Sequence, residues 1–216
     1  VPRIAVHGAR RQFSGGSPHG LRMTYDASPM DGSWTTTASD LRFRAPVFSL
    51  LEKRREDAAG GSAAFFVLDA PDWAHIILLR GQEVLLVRQW RHGSEAHSLE
   101  FPGGVVDAAE DAVQAARREL QEETGWTCGQ ILALGRTNPN PALMTNRVHT
   151  FLSTEPLESG SQSLDANESA EPVWCPLSDL LGGTPEFDES AIMLAGLAFL
   201  QRFLGSNPEM GPGGSQ

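Results

Sequence analysis

Residues 103–126, GGVVDAAEDAVQAARRELQEETGW, place charge where a packing helix would not choose it. From Glu110 onward the run is rich in Ala and other good helix formers, and Gly125 supplies a C-terminal stop. At about 100° per residue, Ala109, Ala112, Val113, Ala116 and Leu120 fall on one stripe, the side expected to face a core. Glu123 falls inside that stripe, Glu119 on its edge and Glu122 alongside. Carboxylates three and four residues apart repel one another, and the negative end of the helix dipole disfavours them further. A half-buried face that accumulates these penalties is expected to hold a cation. Acidic oxygens with no Cys or His nearby suit a hard ion, Mg²⁺ or Mn²⁺. Taken alone, the same cluster is equally compatible with a solvated acidic helix end.

The wider spacing separates these readings. Gly104, Glu110, Arg118-Glu119-Leu120, Glu122-Glu123 and Gly125 stand at fixed offsets, followed by Trp126. This pattern resembles the signature of the Nudix hydrolase family at every fixed position; the departure is Trp126, where the family usually carries an aliphatic residue. The resemblance covers residues 43–204, strongly in the motif and more loosely outside it. It implies an α/β fold, a Nudix-like α/β/α sandwich with a mixed sheet and the motif helix packed on it. It also implies hydrolysis of a nucleoside diphosphate linked to another moiety, by metal-activated water attacking phosphorus. Glu119 and Glu123, one turn apart, are then joint metal ligands with Glu122 completing the cluster, and by analogy the Gly103 carbonyl is a further ligand. Gly104, Glu110, Arg118 and Gly125 are structural parts of the motif, with Arg118 expected to pair with Glu110 two turns back.

Substrate choice is expected to come from outside the motif. The stretch Leu86-Val87-Arg88-Gln89-Trp90-Arg91, followed by Glu100-Phe101-Pro102-Gly103-Gly104, is similar to the subgroup that cleaves ADP-ribose and related ADP-sugars. A proline at the offset of Pro141, within Asn138-Pro139-Asn140-Pro141, marks ADP-ribose pyrophosphatases in that family. The resemblance therefore implies Arg88, Arg91, Trp90 and Pro141 as substrate-binding residues. Glu100, just before the turn, is compatible with a metal ligand or with an ordinary strand-end charge. The general base is expected in the acidic loop 164–171, as Glu168 or, second, Glu171. Here the loop departs from the subgroup at Ala170 and Pro172, which puts its geometry in question. Asn146, Arg147 and His149 also resemble the family, with a structural role expected at a strand start. Competing readings are a house-cleaning hydrolase of nucleoside triphosphates or dinucleotides, and a catalytically silent sensor of a nucleotide sugar. An intact run of stacked carboxylates argues against the sensor.

The remaining composition narrows the chemistry. A net charge of −10 argues against general binding to nucleic acid or anionic membrane. Only Lys53 is lysine, which excludes a phosphate-binding loop of the Gly-x-x-x-x-Gly-Lys type. Cys128 and Cys175 stand in strand-like apolar contexts, where two free thiols in a reducing cytoplasm are expected. No apolar run is long enough to span a membrane as a helix. The expected partner is a small nucleotide-sugar substrate, and the resemblance implies a homodimer.

Residues 1–42, rich in Ser, Gly, Thr and Pro, are expected to be a flexible extension. Their first 25 residues hold four arginines and no acid, faintly like a transit peptide, while Met23 is a plausible start. From Leu41 short apolar runs predict strands at 42–51, 63–69, 73–79, 83–90, 98–101, 131–134, 147–154 and 171–175. Hairpin turns are expected at 70–72 and 80–82. A last helix is expected over 189–204, with Ile192, Leu194, Leu197, Leu200 and Phe203 inward, Met193 and Phe199 widening that face, and a disordered tail over 205–216.

Overall fold

The computed structural model describes residues 32–158, 160–164, 169–183, 187 and 190–212. Two β-rich units follow one another. The first is a three-stranded antiparallel sheet of β1 (Trp34–Arg44), β2 (Ser49–Asp57) and β3 (Ser62–Asp69), in that spatial order. The second is a mixed seven-stranded sheet. It comprises β4 (Trp73–Arg80), β5 (Glu83–Arg91), β6 (Ala96–Glu100), β7 (Gly103–Val105), β9 (Leu132–Thr137), β10 (Val148–Ser153) and β12 (Ala170–Pro176). Its main path runs β12-β5-β4-β10-β9, with β6 beside β5 and β7 beside β4. The strands β8 (Trp126–Cys128) and β11 (Pro156–Glu158) pair separately.

Three helices complete the described chain: α1 (Ala112–Thr124), α2 (Leu177–Gly182) and α3 (Ala191–Ser206). β4 is buried on both faces, and its parallel pairing with β10 makes the sheet mixed. Alternation along β4 and β5 splits the core in two. Ile77, Leu79, Val84 and Leu86 pack under Met193, Leu197, Leu200 and Leu204 of α3. Ile76, Leu78 and Leu85 pack under Ala115, Ala116 and Leu120 of α1. The sheet is thus covered on both sides, the expected α/β/α arrangement.

Several expectations are corrected. Residues 34–42, read as part of a flexible extension, form most of β1; residues 1–31 lie outside the described ones. Thr35–Thr37 are β-branched strand formers, and Arg42, at a bulge between Leu41 and Phe43, reaches Glu52 of β2 at 2.8 Å, so the polar faces hid a real strand. The single strand expected over 42–51 is two, broken at Ala45-Pro46, where the Ala45 N–H closes a turn onto the Phe48 carbonyl. Residues 70–72 are not a hairpin turn. They carry the chain from one sheet to the other, while the backbone of Leu68 bonds to Leu143 and Thr145 instead. Gly103–Val105, expected only as a turn, is a short strand. The expected disordered tail is ordered at its start, because α3 reaches Ser206 and a 3₁₀ turn follows over Pro208–Met210; residues 213–216 lie outside the described ones.

Both helix faces keep their expected phase, with Val113 and Leu194 as the exposed exceptions. On α1 the buried residues are Ala115, Ala116, Leu120, Glu123 and Thr124, while Ala109 precedes the helix and Val113 is exposed. Asp111 is the cap, accepting from the Val113 and Gln114 N–H groups, with the Gln114 side chain accepting from the Asp111 N–H. The helix therefore starts two residues after Glu110, which leaves Ala109 ahead of it, while Ala116, Leu120 and Glu123 stay on the inward stripe and Ala112 packs against the core. On α3 the inward face is Met193, Gly196, Leu197, Leu200 and Leu204, leaving Leu194 exposed.

Candidate active site

Gly125 stops α1 in the left-handed conformation (φ 72°), its N–H bonded to the Gln121 carbonyl. Just before this stop, Glu119, Glu122 and Glu123 occupy the last turns of the helix that packs on β7. Glu123 is buried, and its Oε2 accepts from the Gly103 N–H at 2.9 Å. The glycines make this approach possible. A Cβ at Gly104 would lie 2.4 Å from Glu119 Oε1, and one at Gly103 would lie 2.3 Å from the Ala74 carbonyl oxygen.

Arg118 is the hub of the cluster. Its guanidinium reaches Glu110 at 2.7 Å, Glu119 at 2.9 Å, Glu122 at 2.9 Å and the Val105 carbonyl at 2.9 Å. The expected pairing with Glu110 is present, and the contacts to the other carboxylates extend it. Hydrogen bonding to Arg118 holds the Glu110 carboxyl below its usual value, against the opposing effect of burial. The same carboxylates, Glu110 foremost, strengthen the protonated guanidinium. Among the described residues no three His, Cys, Asp or Glu side chains converge on one point. Arg118 instead lies between Glu119 and Glu122.

Strand alternation sorts the other expected residues. Glu100 stands opposite Val87, and Arg91 grips it with two hydrogen bonds of 2.6 Å. Residues 87, 89 and 91 share the face of Leu85, which α1 covers, so Glu100 and Arg91 belong to the same side as the helix carboxylates. Arg88 and Trp90 point to the other face, with Val84 and Leu86. Trp90 is half exposed and meets His97 edge-on at 5.3 Å. Glu171 stands opposite Arg88 and shares that second face with Val173 and Cys175. Glu168 lies outside the described residues. Pro141 is exposed at the tip of a loop closed by the Leu143 and Met144 N–H groups on the Asn140 carbonyl.

Three groups escaped the sequence reading. Gln162 donates to the carbonyls of Glu123 and, at 2.8 Å, of Ala170, and the Ser163 N–H donates to the Glu122 carbonyl at 2.9 Å. This ties the start of the acidic loop to the end of α1. His75, at the centre of β4, lies opposite Gly103, and its Nε2 is hydrogen-bonded to Thr150 Oγ1 at 2.8 Å. Burial pushes its pKa down to about 4, with Glu100 opposing the shift, so the ring is neutral at pH 7. Asp72 binds His149 Nε2 at 2.8 Å and accepts from the Arg147 N–H at 2.7 Å, which satisfies His149 structurally. No motif in the sequence marks Gln162 or His75; their roles arise only from long-range contacts, side-chain hydrogen bonds for Gln162 and strand pairing for His75.

A carboxylate-bearing helix crossing a glycine strand, on a mixed sheet covered on both sides, defines the class. A family model for the NUDIX domain matches residues 70–194, more than half of the chain, and the protein belongs to the NUDIX family. The ADP-ribose pyrophosphatase of Bacillus subtilis (strain 168) is 26% identical over 148 residues, 68% of this chain and 80% of that protein. The ADP compounds hydrolase NudE of Escherichia coli (strain K12) is 26% identical over 117 residues, 53% of this chain and 62% of that protein. A Caenorhabditis elegans nudix hydrolase is 33% identical over 119 residues, and the chain spans only 52% of its length. A solved structure of an ADP compounds hydrolase superposes with a TM-score of 0.72 at 22% identity, covering 83% of this chain and 98% of that one. That likeness is one of fold.

Proposed function

We propose that this chain is a metal-dependent pyrophosphohydrolase that cleaves ADP-ribose or an ADP-sugar to AMP and a sugar phosphate. The observation that carries the reading is the approach of Glu119 and Glu123 to the Gly103–Gly104 strand, with Glu122 tied to Glu119 through Arg118, in a chain of the NUDIX family. The substrate class draws support from relatives named for ADP-ribose and ADP compounds.

The donor set fits a hard divalent ion, Mg²⁺ or Mn²⁺: the carboxylates of Glu100, Glu119, Glu122 and Glu123 with the Gly103 carbonyl, all oxygen. The missing Cβ at Gly104 leaves space for the Glu119 carboxylate within that set. When bound, such an ion neutralises the diphosphate oxygens and lowers the pKa of a bound water.

The chain's own groups do the rest. Arg91 supplies a planar guanidinium beside Glu100 for a diphosphate oxygen. Trp90 offers an exposed ring for a base to stack on, with Arg88 on the same face. Pro141 shapes the loop beyond. Glu168 takes the proton of the attacking water in preference to Glu171, which stands opposite Arg88 on the face away from α1. Arg118 spreads its charge over Glu110, Glu119 and Glu122 and keeps them together before any ion arrives.

The working form in this reading is a homodimer in a reducing, cytoplasmic compartment. Support comes from the exposed apolar side chains of the small sheet and from two free thiols. No helix among the described residues is long and apolar enough to cross a membrane.

The test is AMP release from ADP-ribose, ADP-glucose, NADH, diadenosine polyphosphates and deoxynucleoside triphosphates, with Mg²⁺ and with chelator. Chelator-sensitive cleavage centred on ADP-ribose is expected. Faster turnover of deoxynucleoside triphosphates would replace the substrate class, and binding without turnover would replace the enzyme by a sensor.

A further inference from the structure

A polar pair sits in the wrong layer of this sheet. His75 and Thr150 are 3% and 1% exposed, and their strands carry Ile76, Ile77, Phe151 and Leu152, all buried. An apolar pair would pack there without desolvating an imidazole and a hydroxyl. His75 Nδ1 is moreover buried with no hydrogen-bond partner among the described residues. Local rules broken in this way concentrate at functional sites.

The geometry around the pair shows what it governs. His75 stands opposite Gly103, and its Cα and Cβ each lie 2.6 Å from where a Gly103 Cβ would be. The backbone of Gly103 therefore rests directly on His75. The imidazole meets the Phe101 ring edge-on at 5.5 Å, two residues before Gly103 and one after Glu100. From the other side α3 presents Gly196, where even a Cβ would come within 3.0 Å of His75 Nε2 and of Phe101. The Ile76 N–H bonds to the Pro102 carbonyl at 2.9 Å and completes the seating of the turn. The ring is wedged between strand, turn and helix, and the Thr150 hydroxyl fixes its rotation.

We propose that His75, oriented by Thr150, is a positioning residue for the site. It sets the height of the Glu100–Gly104 turn, and with it the distance from Glu100 and Gly103 to the carboxylates of α1. The inference rests on the metal reading given above. It assigns His75 no contact with substrate or ion.

Thr150 gives the cleaner test, because two near-isosteres separate orientation from packing. Thr150→Val keeps the shape and loses the hydroxyl; Thr150→Ser keeps the hydroxyl and loses a methyl. Mn²⁺ affinity would be measured by electron paramagnetic resonance on the full chain without substrate, with the thermal midpoint recorded alongside. Removing a partner that orients a metal site weakens affinity by roughly tenfold. Thr150→Val and His75→Leu should show that loss, and Thr150→Ser should bind as wild type does. With ADP-ribose and saturating Mg²⁺, kcat should fall in Thr150→Val while KM stays within about twofold.

Wild-type Mn²⁺ affinity in Thr150→Val would overturn the proposal, and so would an equal loss in the Ser and Val variants, which is the signature of packing alone. Should His75→Leu fail to fold, the two Thr150 variants still decide. Should wild type bind Mn²⁺ but release no AMP, the activity reading falls while the comparison of affinities remains valid. Should wild type bind no Mn²⁺, the metal reading and this inference fall together.

Discussion

Adjacent glycines separate stability from chemistry at the scale of one residue. A methyl at Gly103 meets the Ala74 carbonyl oxygen and the Cα of His75, none of which can move without shifting β4. The atoms nearest to a methyl at Gly104 all belong to the Glu119 carboxylate, the far end of a flexible side chain. Gly103→Ala should therefore cost roughly 2 kcal/mol or more in urea unfolding, as overpacking against fixed atoms does. Gly104→Ala should unfold within about 1 kcal/mol of wild type but lose at least about tenfold in AMP release, because it displaces a ligand. Equal thermal midpoints for the two variants would contradict this division. Glu123→Gln probes the charge itself. Its amide oxygen can still accept from Gly103, so folding should be preserved while activity drops by at least about a hundredfold; survival within a few-fold would remove Glu123 from the metal set. These carboxylates were legible in the sequence, because one helix fixes their spacing. The Arg91 grip on Glu100 was not, since only the β5–β6 pairing puts the two side chains on one face within reach of each other.

At the scale of elements, what was misread was boundaries. The cap chemistry of Asp111 starts α1 at Ala112 rather than at Glu110. A later start leaves the step of about 100° per residue unchanged, so Glu123 stayed inward and the site survived the error. The β3–β4 junction was misread for a related reason: Ala-Pro-Asp has turn composition, yet its destination depends on residues far along the chain. Asp72 closes that junction, holding the Arg147 N–H and His149 with its carboxylate while its carbonyl accepts from Val106, just past β7. Burial pushes the Asp72 carboxyl up, but the hydrogen bond to His149, then that to the Arg147 backbone, outweigh it and leave the pKa below its ordinary value. A carboxylate depressed in the folded state contributes stability above its unfolded pKa and loses it as the pH falls through the folded one. Thermal stability should thus drop on acidification through and below about pH 4. Asp72→Asn should be less stable at pH 7 and show a shallower acid drop. Parallel curves for the two proteins would place the acid sensitivity elsewhere.

The whole molecule carries one feature that a single chain does not explain. Every residue of β1 is exposed, on both faces and along eleven positions, and Trp34, Leu41, Phe43, Val47 and Phe66 add apolar surface around it. A long open edge strand with aromatic flanks is a template for pairing, which soluble chains cover or blunt. The main sheet was legible because its strands are buried and read as apolar runs. In the small sheet β3 was legible at 63–69, but β1 and β2 were not separated, because they mix charge into both faces and neither core cluster of the described residues draws on them. A second copy related by two-fold symmetry would cover the same patch on both partners at once. The proposed homodimer therefore predicts that Leu41→Asp with Phe43→Asp, which leave the main core and α1 untouched, shift the sedimentation mass from two chains to one. If the small sheet also completes the substrate pocket, KM for ADP-ribose should rise in this variant, and in wild type on dilution, while Mn²⁺ affinity holds, since every proposed ligand lies on the main sheet or α1. A wild-type chain sedimenting as a monomer at all concentrations would assign that surface to a different partner.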